Sequence, residues 1–190
     1  MTRTVATWNV NSLRVRLPHL TEWLAANPVD AIALQETKLP DADFPVADLQ
    51  ALGWNSAFSG QRTYNGVAIL SRDPATDVVA GIPGFDDEQR RVLAASLGSL
   101  RVIDVYVPNG QTVGSDKFAY KLRWFDALRK YVAAELTRHP HLVVLGDFNV
   151  APEDRDVHDP KAWEGSVHVS PPERAALQAL LGTGLAARFR

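Results

Sequence analysis

The run His141-Leu-Val-Val-Leu-Gly-Asp-Phe-Asn-Val-Ala-Pro152 constrains this chain more than any other stretch. Leu142 to Leu145, apolar and partly β-branched, reads as a short buried strand. The run breaks at Gly146, and Asp147 and Asn149 follow at once. Two oxygen-bearing side chains at the tip of a buried strand cost desolvation unless something binds there. The competing reading is a turn in which Asp and Asn satisfy their own backbone. On this stretch alone the two stand level.

With 190 residues, 46% of them hydrophobic and 22% charged, the chain is expected to form one domain with a sizeable core. A net charge of −2 confines any phosphate recognition to a local patch. The absence of cysteine excludes disulfides, thiolate metal sites and cysteine nucleophiles, so a metal would be held by oxygen or imidazole. The start of the chain lacks a charged segment followed by an apolar one, and no apolar run approaches membrane-spanning length. A cytoplasmic protein, associated with the nucleoid if bacterial, is the expectation.

Thr4 to Val10 reads as a first strand. Leu17, Leu20 and Leu24 at helical spacing, with Pro18 suited to a first turn, suggest a helix closing at Asn27-Pro28. Asp30 to Glu36 is a second buried strand, which completes a strand–helix–strand unit of the parallel crossover type. A loop with a short helix is expected over Thr37 to Gly53. Strands are expected at Trp54–Ser59, Asn65–Ser71, Val78–Ala80, Val92–Leu97 and Leu100–Val107; their short connections favour antiparallel pairing and a mixed sheet. Phe118, Leu122, Phe125, Leu128, Val132 and Leu136 stripe a long helix over Asp116–Thr137. Ala151 to Val169 reads as a polar loop. Ser170-Pro-Pro-Glu173 has capping-box spacing for a helix reaching about Leu181.

Asn9, Glu36, Tyr106 and Asp147 each fall at or just beyond the carboxyl end of an expected strand. In open α/β sheets ligands gather at that edge. Glu36, Asp147, Asn9 and Asn149 offer the oxygen donors that suit Mg²⁺ or Mn²⁺. Taken singly, Glu36 reads as a surface ion pair, Asn9 as a satisfied turn and Tyr106 as a core aromatic with its hydroxyl at the rim. Jointly they point to a site.

Trp8-Asn-Val-Asn-Ser-Leu-Arg14, Leu34-Gln-Glu-Thr-Lys38, Tyr64-Asn-Gly-Val-Ala-Ile-Leu-Ser-Arg72, Tyr106-Val-Pro-Asn-Gly110 and Gly146-Asp-Phe-Asn149 follow one another in a familiar order. Together they resemble the exonuclease III family of abasic-site endonucleases, within the endonuclease/exonuclease/phosphatase superfamily. The resemblance covers essentially the whole chain. Gln-Glu-Thr-Lys and Gly-Asp-Phe-Asn are shared across the superfamily, whereas Tyr64–Arg72 and Lys117-Phe-Ala-Tyr-Lys121 point to the DNA-repair branch. Ser12 departs from the family's usual glycine.

The resemblance implies an α/β four-layer sandwich, two mixed sheets with helices outside. It implies Glu36 as the principal metal carboxylate supported by Asn9, and Asp147 as acid or base by the attacking water or leaving oxygen. Asn149 would hold the scissile phosphate or metal, and Tyr106 would stabilise the charged phosphorane-like state. Those roles suit in-line phosphodiester hydrolysis. Arg14, Lys38, Arg62, Lys117 and Lys121, with Asn11, Tyr64 and Asn109, are the expected DNA contacts.

Family members run on for several strands past the position matched by Arg190 and carry there a Ser-Asp-His motif completing the relay. The C-terminal strands are thus expected to be missing, with a sheet edge left unpaired, association through it, and weak or absent activity. A complete relative would be monomeric. His19, His139, His141, His158 and His168 read as solvated or capping residues. The leading expectation is a Mg²⁺-dependent nuclease acting on double-stranded DNA, cleaving 5′ to abasic sites and trimming 3′ ends. The alternatives are a non-catalytic DNA- or partner-binding remnant and a phosphatase of inositol phosphates or phospholipids.

Overall fold

The computed structural model describes residues 2–187, and the chain packs as two compact units. The first comprises Met1–Tyr106 with His141–Asp147, the second Val107–Pro140 with Phe148–Arg190.

The first unit holds both sheets. In one, β1 (Val5–Asn9), β2 (Ala31–Gln35), β4 (Val67–Ser71) and β3 (Asn55–Ser59) lie in the order β1-β2-β4-β3. In the other the order is β5-β6-β7-β8, from β5 (Thr76–Ala80), β6 (Val92–Leu97), β7 (Leu100–Tyr106) and β8 (Leu142–Asp147). Each sheet contains a single parallel pair, β1 with β2 and β7 with β8, and is otherwise antiparallel. Both are mixed, as the short connections implied. Ala31, Ala57, Val67 and Ile69 of the first sheet pack on Leu93, Ala95, Leu97 and Val102 of the second, so the sheets stack face to face. The outer face of the first sheet is covered by α1 (Leu13–Ala26) and α2 (Val46–Ala51), which bury Leu13, Leu20, Leu24 and Leu49 against Ile32, Leu34, Ala68 and Leu70.

Two details depart from the sequence reading. Helix α1 begins at Leu13, so Pro18 lies inside it. The earlier start is possible because Ser12 N–H and Leu13 N–H donate to the carbonyls of Glu36 and Thr37, which replace a side-chain cap. Ser12 has φ 95°, a conformation natural to glycine, the residue that the resemblance leads one to expect there. The second correction concerns β8. The run expected to be buried is an edge strand, paired on one side by β7 and half-buried along its length. An unpaired sheet edge is therefore present among the described residues.

The second unit is helical. Its elements are α3 (Asp116–Arg138), the short α4 (Pro160–Trp163) and α5 (Pro171–Leu181), with α3 packed on α5. Ser115 caps α3 by accepting from Phe118 N–H, and Ser170 with Glu173 forms the expected reciprocal capping box of α5. The buried face of α3 is Phe118, Lys121, Trp124, Phe125, Leu128, Tyr131, Val132 and Glu135. It is rotated from the apolar stripe, leaving Leu122 and Leu136 partly exposed while a lysine and a glutamate are buried.

Candidate active site

The two parallel pairs end side by side. Asn9 is in register with Gln35 in the first sheet, and Tyr106 with Asp147 in the second. The Asn9 amide joins them: Nδ2 donates to Glu36 Oε1 at 2.9 Å and to Asp147 Oδ2 at 2.9 Å, across 138 residues of sequence. Strands from different sheets thus bring their carboxylates to one amide. In this arrangement the Asn9 amide bridges the carboxylates through its NH₂ group. Its Oδ1 accepts from Asn11 N–H at 3.1 Å.

Glu36 is the most heavily engaged member. Its Oε2 pairs with Lys38 Nζ at 2.9 Å, and the Tyr106 hydroxyl also hydrogen-bonds to it. Burial pushes the Glu36 carboxyl up, but the bonds from Asn9, Lys38 and Tyr106 outweigh it, and the net shift is downward. Glu36 is therefore a carboxylate near neutrality. Tyr106 responds in the opposite sense. Burial first, then the Glu36 charge and hydrogen bond, push its phenol up to about 12, with Asp147 adding to the shift and Arg91 opposing it. At neutral pH Tyr106 is a hydroxyl donor held beside two carboxylates.

The backbone around these residues is strained. Asn11, Ser12, Glu36 and Lys38 all have positive φ. Such conformations persist where surrounding contacts over-determine them. Here Thr37 N–H donates to the Gly66 carbonyl and Lys38 N–H to that of Asn65, which pins the Glu36 loop to the loop before β4. A Cβ on Gly66 would collide with Thr37 Oγ1, and one on Gly146, at φ 136°, with the Val105 carbonyl of the paired strand. Glycine is the residue that admits both approaches.

Not all expected DNA contacts share one situation. Arg62, Tyr64, Asn109 and Lys117 are exposed, and Arg14 is exposed beside Asp43 at 3.3 Å. Lys38 is partly buried between Glu36 and the Asn11 amide oxygen. Lys121 is fully buried, and its ammonium donates to the carbonyls of Asn109 (3.1 Å) and Asn149 (2.7 Å) and to Glu173. An ammonium has three donors. With all three engaged inside the protein, Lys121 does not serve as a surface phosphate contact. Asn149, two residues beyond Asp147, belongs to the second unit; its Nδ2 donates to the Val107 carbonyl at 2.9 Å.

Two further residues make contacts that the sequence did not indicate. Arg91 lies over the Tyr106 ring at 4.6 Å and donates to the Tyr106 carbonyl at 3.1 Å. His168, read as solvated or capping, instead stands with Nε2 2.9 Å from Asn109 Nδ2. Asn109 Oδ1 accepts from Gln111 N–H, which leaves Nδ2 as the donor and His168 Nε2 as the acceptor. Nothing in the spacing of either residue marks these contacts.

Residues 6–186 match the Endonuclease/Exonuclease/phosphatase family. Exodeoxyribonuclease III of Haemophilus influenzae is 32% identical over 96% of this chain and 73% of its own length. Two solved structures of NExo from Neisseria are 51% and 52% identical with TM-scores of 0.95 and 0.93. They cover 96% and 95% of this chain, and it spans 72% and 71% of theirs. One describes a 3′ phosphatase bound to product DNA hairpin, the other a 3′-5′ exonuclease. An AP endonuclease from Archaeoglobus fulgidus is 37% identical with TM-score 0.92, over 96% of this chain and 71% of that one. Oxygen-rich strand tips, two stacked mixed sheets and these relatives converge, and the chain belongs to the endonuclease/exonuclease/phosphatase family, in its exodeoxyribonuclease III and AP endonuclease branch of DNA nucleases.

Proposed function

We propose that this chain hydrolyses phosphate esters at 3′ ends of double-stranded DNA, removing 3′ nucleotides or a 3′ phosphate, with a divalent cation held at Glu36 and Asp147. The single observation that carries this reading is the Asn9 amide holding those two carboxylates together. The donor set fits a hard cation. Among the described residues no three His, Asp or Glu side chains cluster as a ready-made cage. Two carboxylates completed by waters and substrate phosphate are the arrangement Mg²⁺ favours, and Mn²⁺ accepts it. Bound there, the cation would act as a Lewis acid on the phosphoryl oxygens.

The chain's own groups divide the remaining work. Asp147 orients the attacking water or receives its proton, for which a carboxylate within hydrogen-bond reach is the requirement. Tyr106, a neutral donor at working pH, stabilises charge developing on the phosphoryl oxygens. Arg91 packs on its ring and holds it in place. Asn149 holds the phosphate through its amide. Arg14, Arg62, Tyr64, Asn109 and Lys117 supply contacts to the DNA backbone, a source of affinity without sequence preference.

Preference for 3′ ends is supported by the 51–52% identity to NExo, whose structures are described as those of a 3′ phosphatase and a 3′-5′ exonuclease. Incision 5′ to an abasic site is the second reading, supported by the 37% identity to the Archaeoglobus AP endonuclease. The test uses three duplexes: one with a recessed 3′ phosphate, one with a recessed 3′ hydroxyl, one with an internal abasic analogue. Products appearing with Mg²⁺ or Mn²⁺ from the first two, and abolished by EDTA, are expected. Product from the abasic duplex alone would select the second reading. No metal-dependent product from any duplex at stoichiometric protein would leave a DNA-binding remnant.

A further inference from the structure

Lys121 and Glu173 form an ion pair in which neither side chain is exposed to solvent. Ion pairs removed from water hold together only when the remaining donors and acceptors are matched as well. Here the matching is complete. Besides Glu173, the Lys121 ammonium bonds the carbonyls of Asn109 and Asn149. Glu173 Oε1 also accepts from His168 N–H at 2.9 Å, and Oε2 from Ser170 N–H and the Ser170 hydroxyl. One lysine on α3 therefore ties together two separate loops, the one that follows Tyr106 and the one that follows Asp147. Glutamate anchors it to the start of α5.

The approach is close enough to shape the sequence around it. Gly110 has φ 92°, and a Cβ there would stand 3.0 Å from Lys121 Cδ. Asn149 has φ 50°, so its carbonyl and its side chain are presented from a left-handed backbone that the Lys121 bond holds. An alternative carrier of that strain is the Asn149 Nδ2 bond to the Val107 carbonyl, which fixes the side chain but not its own carbonyl.

We infer that Lys121, braced by Glu173, is a positioning residue: it fixes the loop carbonyls of Asn109 and Asn149, and through that backbone the side-chain amides that the proposed function assigns to phosphate. This rests on the reading of Asn149 as a phosphate-holding residue.

The test pairs Glu173→Gln with Lys121→Met/Glu173→Gln, because the double variant leaves no unpaired charge inside the protein. On the duplex with a recessed 3′ phosphate, the double variant is expected to keep KM within about twofold and lose at least tenfold in kcat. Independently of turnover, ¹⁵N-Asn labelling resolves the side-chain amides of the seven asparagines. Those of Asn109 and Asn149 are expected to shift or broaden, while Asn27 and Asn55 stay fixed. A Lys121→Cys chain, whose thiol is unique in a protein without cysteine, is aminoethylated with 2-bromoethylamine while unfolded and then refolded to restore the ammonium. It is expected to recover both readouts. A kcat within threefold of wild type, unchanged Asn109 and Asn149 amides, or no recovery on aminoethylation overturns the inference. Failure of both the double variant and the aminoethylated chain to fold would make the pair a structural strut and overturn it as well. Should the wild-type chain itself turn over no DNA, the proposed function fails, and the amide spectra still decide whether Lys121 sets the loops.

Discussion

Two polar clusters in this protein have nearly the same ingredients and opposite construction. At the strand tips, Glu36 and Asp147 share one amide, Lys38 stands beside them, and the Glu36 and Lys38 side chains remain 19% and 27% exposed. On the helices, Lys121 and Glu173 are 0% exposed, and the bonds on the ammonium and carboxylate close the cluster. The open cluster concentrates negative charge, two carboxylates on a single amide, in reach of solvent. That costs little only because water or a cation is at hand. The closed cluster balances its charges internally and has no coordination left to offer. The difference separates a site that acts on a ligand from one that holds backbone.

The comparison breaks most visibly through Asp147. Asp147→Asn keeps the shape of the open cluster and is expected to lower kcat about a thousandfold on a 3′-ended duplex. Its urea midpoint should stay near wild type, because the group is not sealed inside the fold. A midpoint collapse with activity retained per folded molecule would reverse the assignment. Glu173→Ala should do the reverse. Leaving the Lys121 ammonium buried without its partner is expected to cost about 3–5 kcal/mol in urea unfolding.

Tyr106→Phe sharpens the account within the open cluster. Loss of one hydroxyl donor is expected to lower kcat about a hundredfold with little change in stability. Because the phenol is pushed up to about 12, the difference absorbance of wild type minus Tyr106→Phe should show no ionisation below about pH 11. A transition near pH 10 would mean that Glu36 does not hold the hydroxyl.

A third polar group tests the boundary between the two kinds. Asp104 on β7 is completely buried; its Oδ1 accepts from Gln35 Nε2 at 2.7 Å, and its Oδ2 has no hydrogen-bond partner among the described residues. Burial pushes its carboxyl well above the usual range, against bonds from Gln35 and the Ala68 backbone that pull it down. The folded state therefore keeps its proton where the unfolded chain has lost it. Stability from this group is fully present below the unfolded pKa of about 4 and is lost as pH rises toward the folded value. Asp104→Asn removes that loss. Its stability relative to wild type should climb by up to about 1.4 kcal/mol per pH unit above pH 4. A pH-independent difference would show Asp104 ionised in the fold.

Much of the open cluster was readable in the sequence because its geometry follows from strands. An apolar run that ends in Gly146-Asp147, or in Glu36, places the polar group at a strand tip. Parallel pairing then sends the tips to one edge. The same logic failed for β8, where an apolar composition concealed an edge strand whose single neighbour leaves it half-buried. Lys121 was misjudged for a related reason. A lysine beside a family motif suggested a phosphate contact, yet it falls between Phe118 and Phe125 on the buried face of α3, at spacings of three and four. Helical periodicity carried that signal, and charge obscured it. Arg91 and His168 left no such trace, since their partners Tyr106 and Asn109 are reached through pairing and loop geometry that no local spacing encodes.

The central claim is that Glu36 and Asp147 form one cation site. Mn²⁺ binding followed by electron paramagnetic resonance tests it without substrate or turnover. Wild type should bind one Mn²⁺ that both Glu36→Gln and Asp147→Asn weaken at least tenfold, whereas Glu173→Gln leaves it unchanged. Equal Mn²⁺ affinity in wild type and in either carboxylate variant would contradict the account.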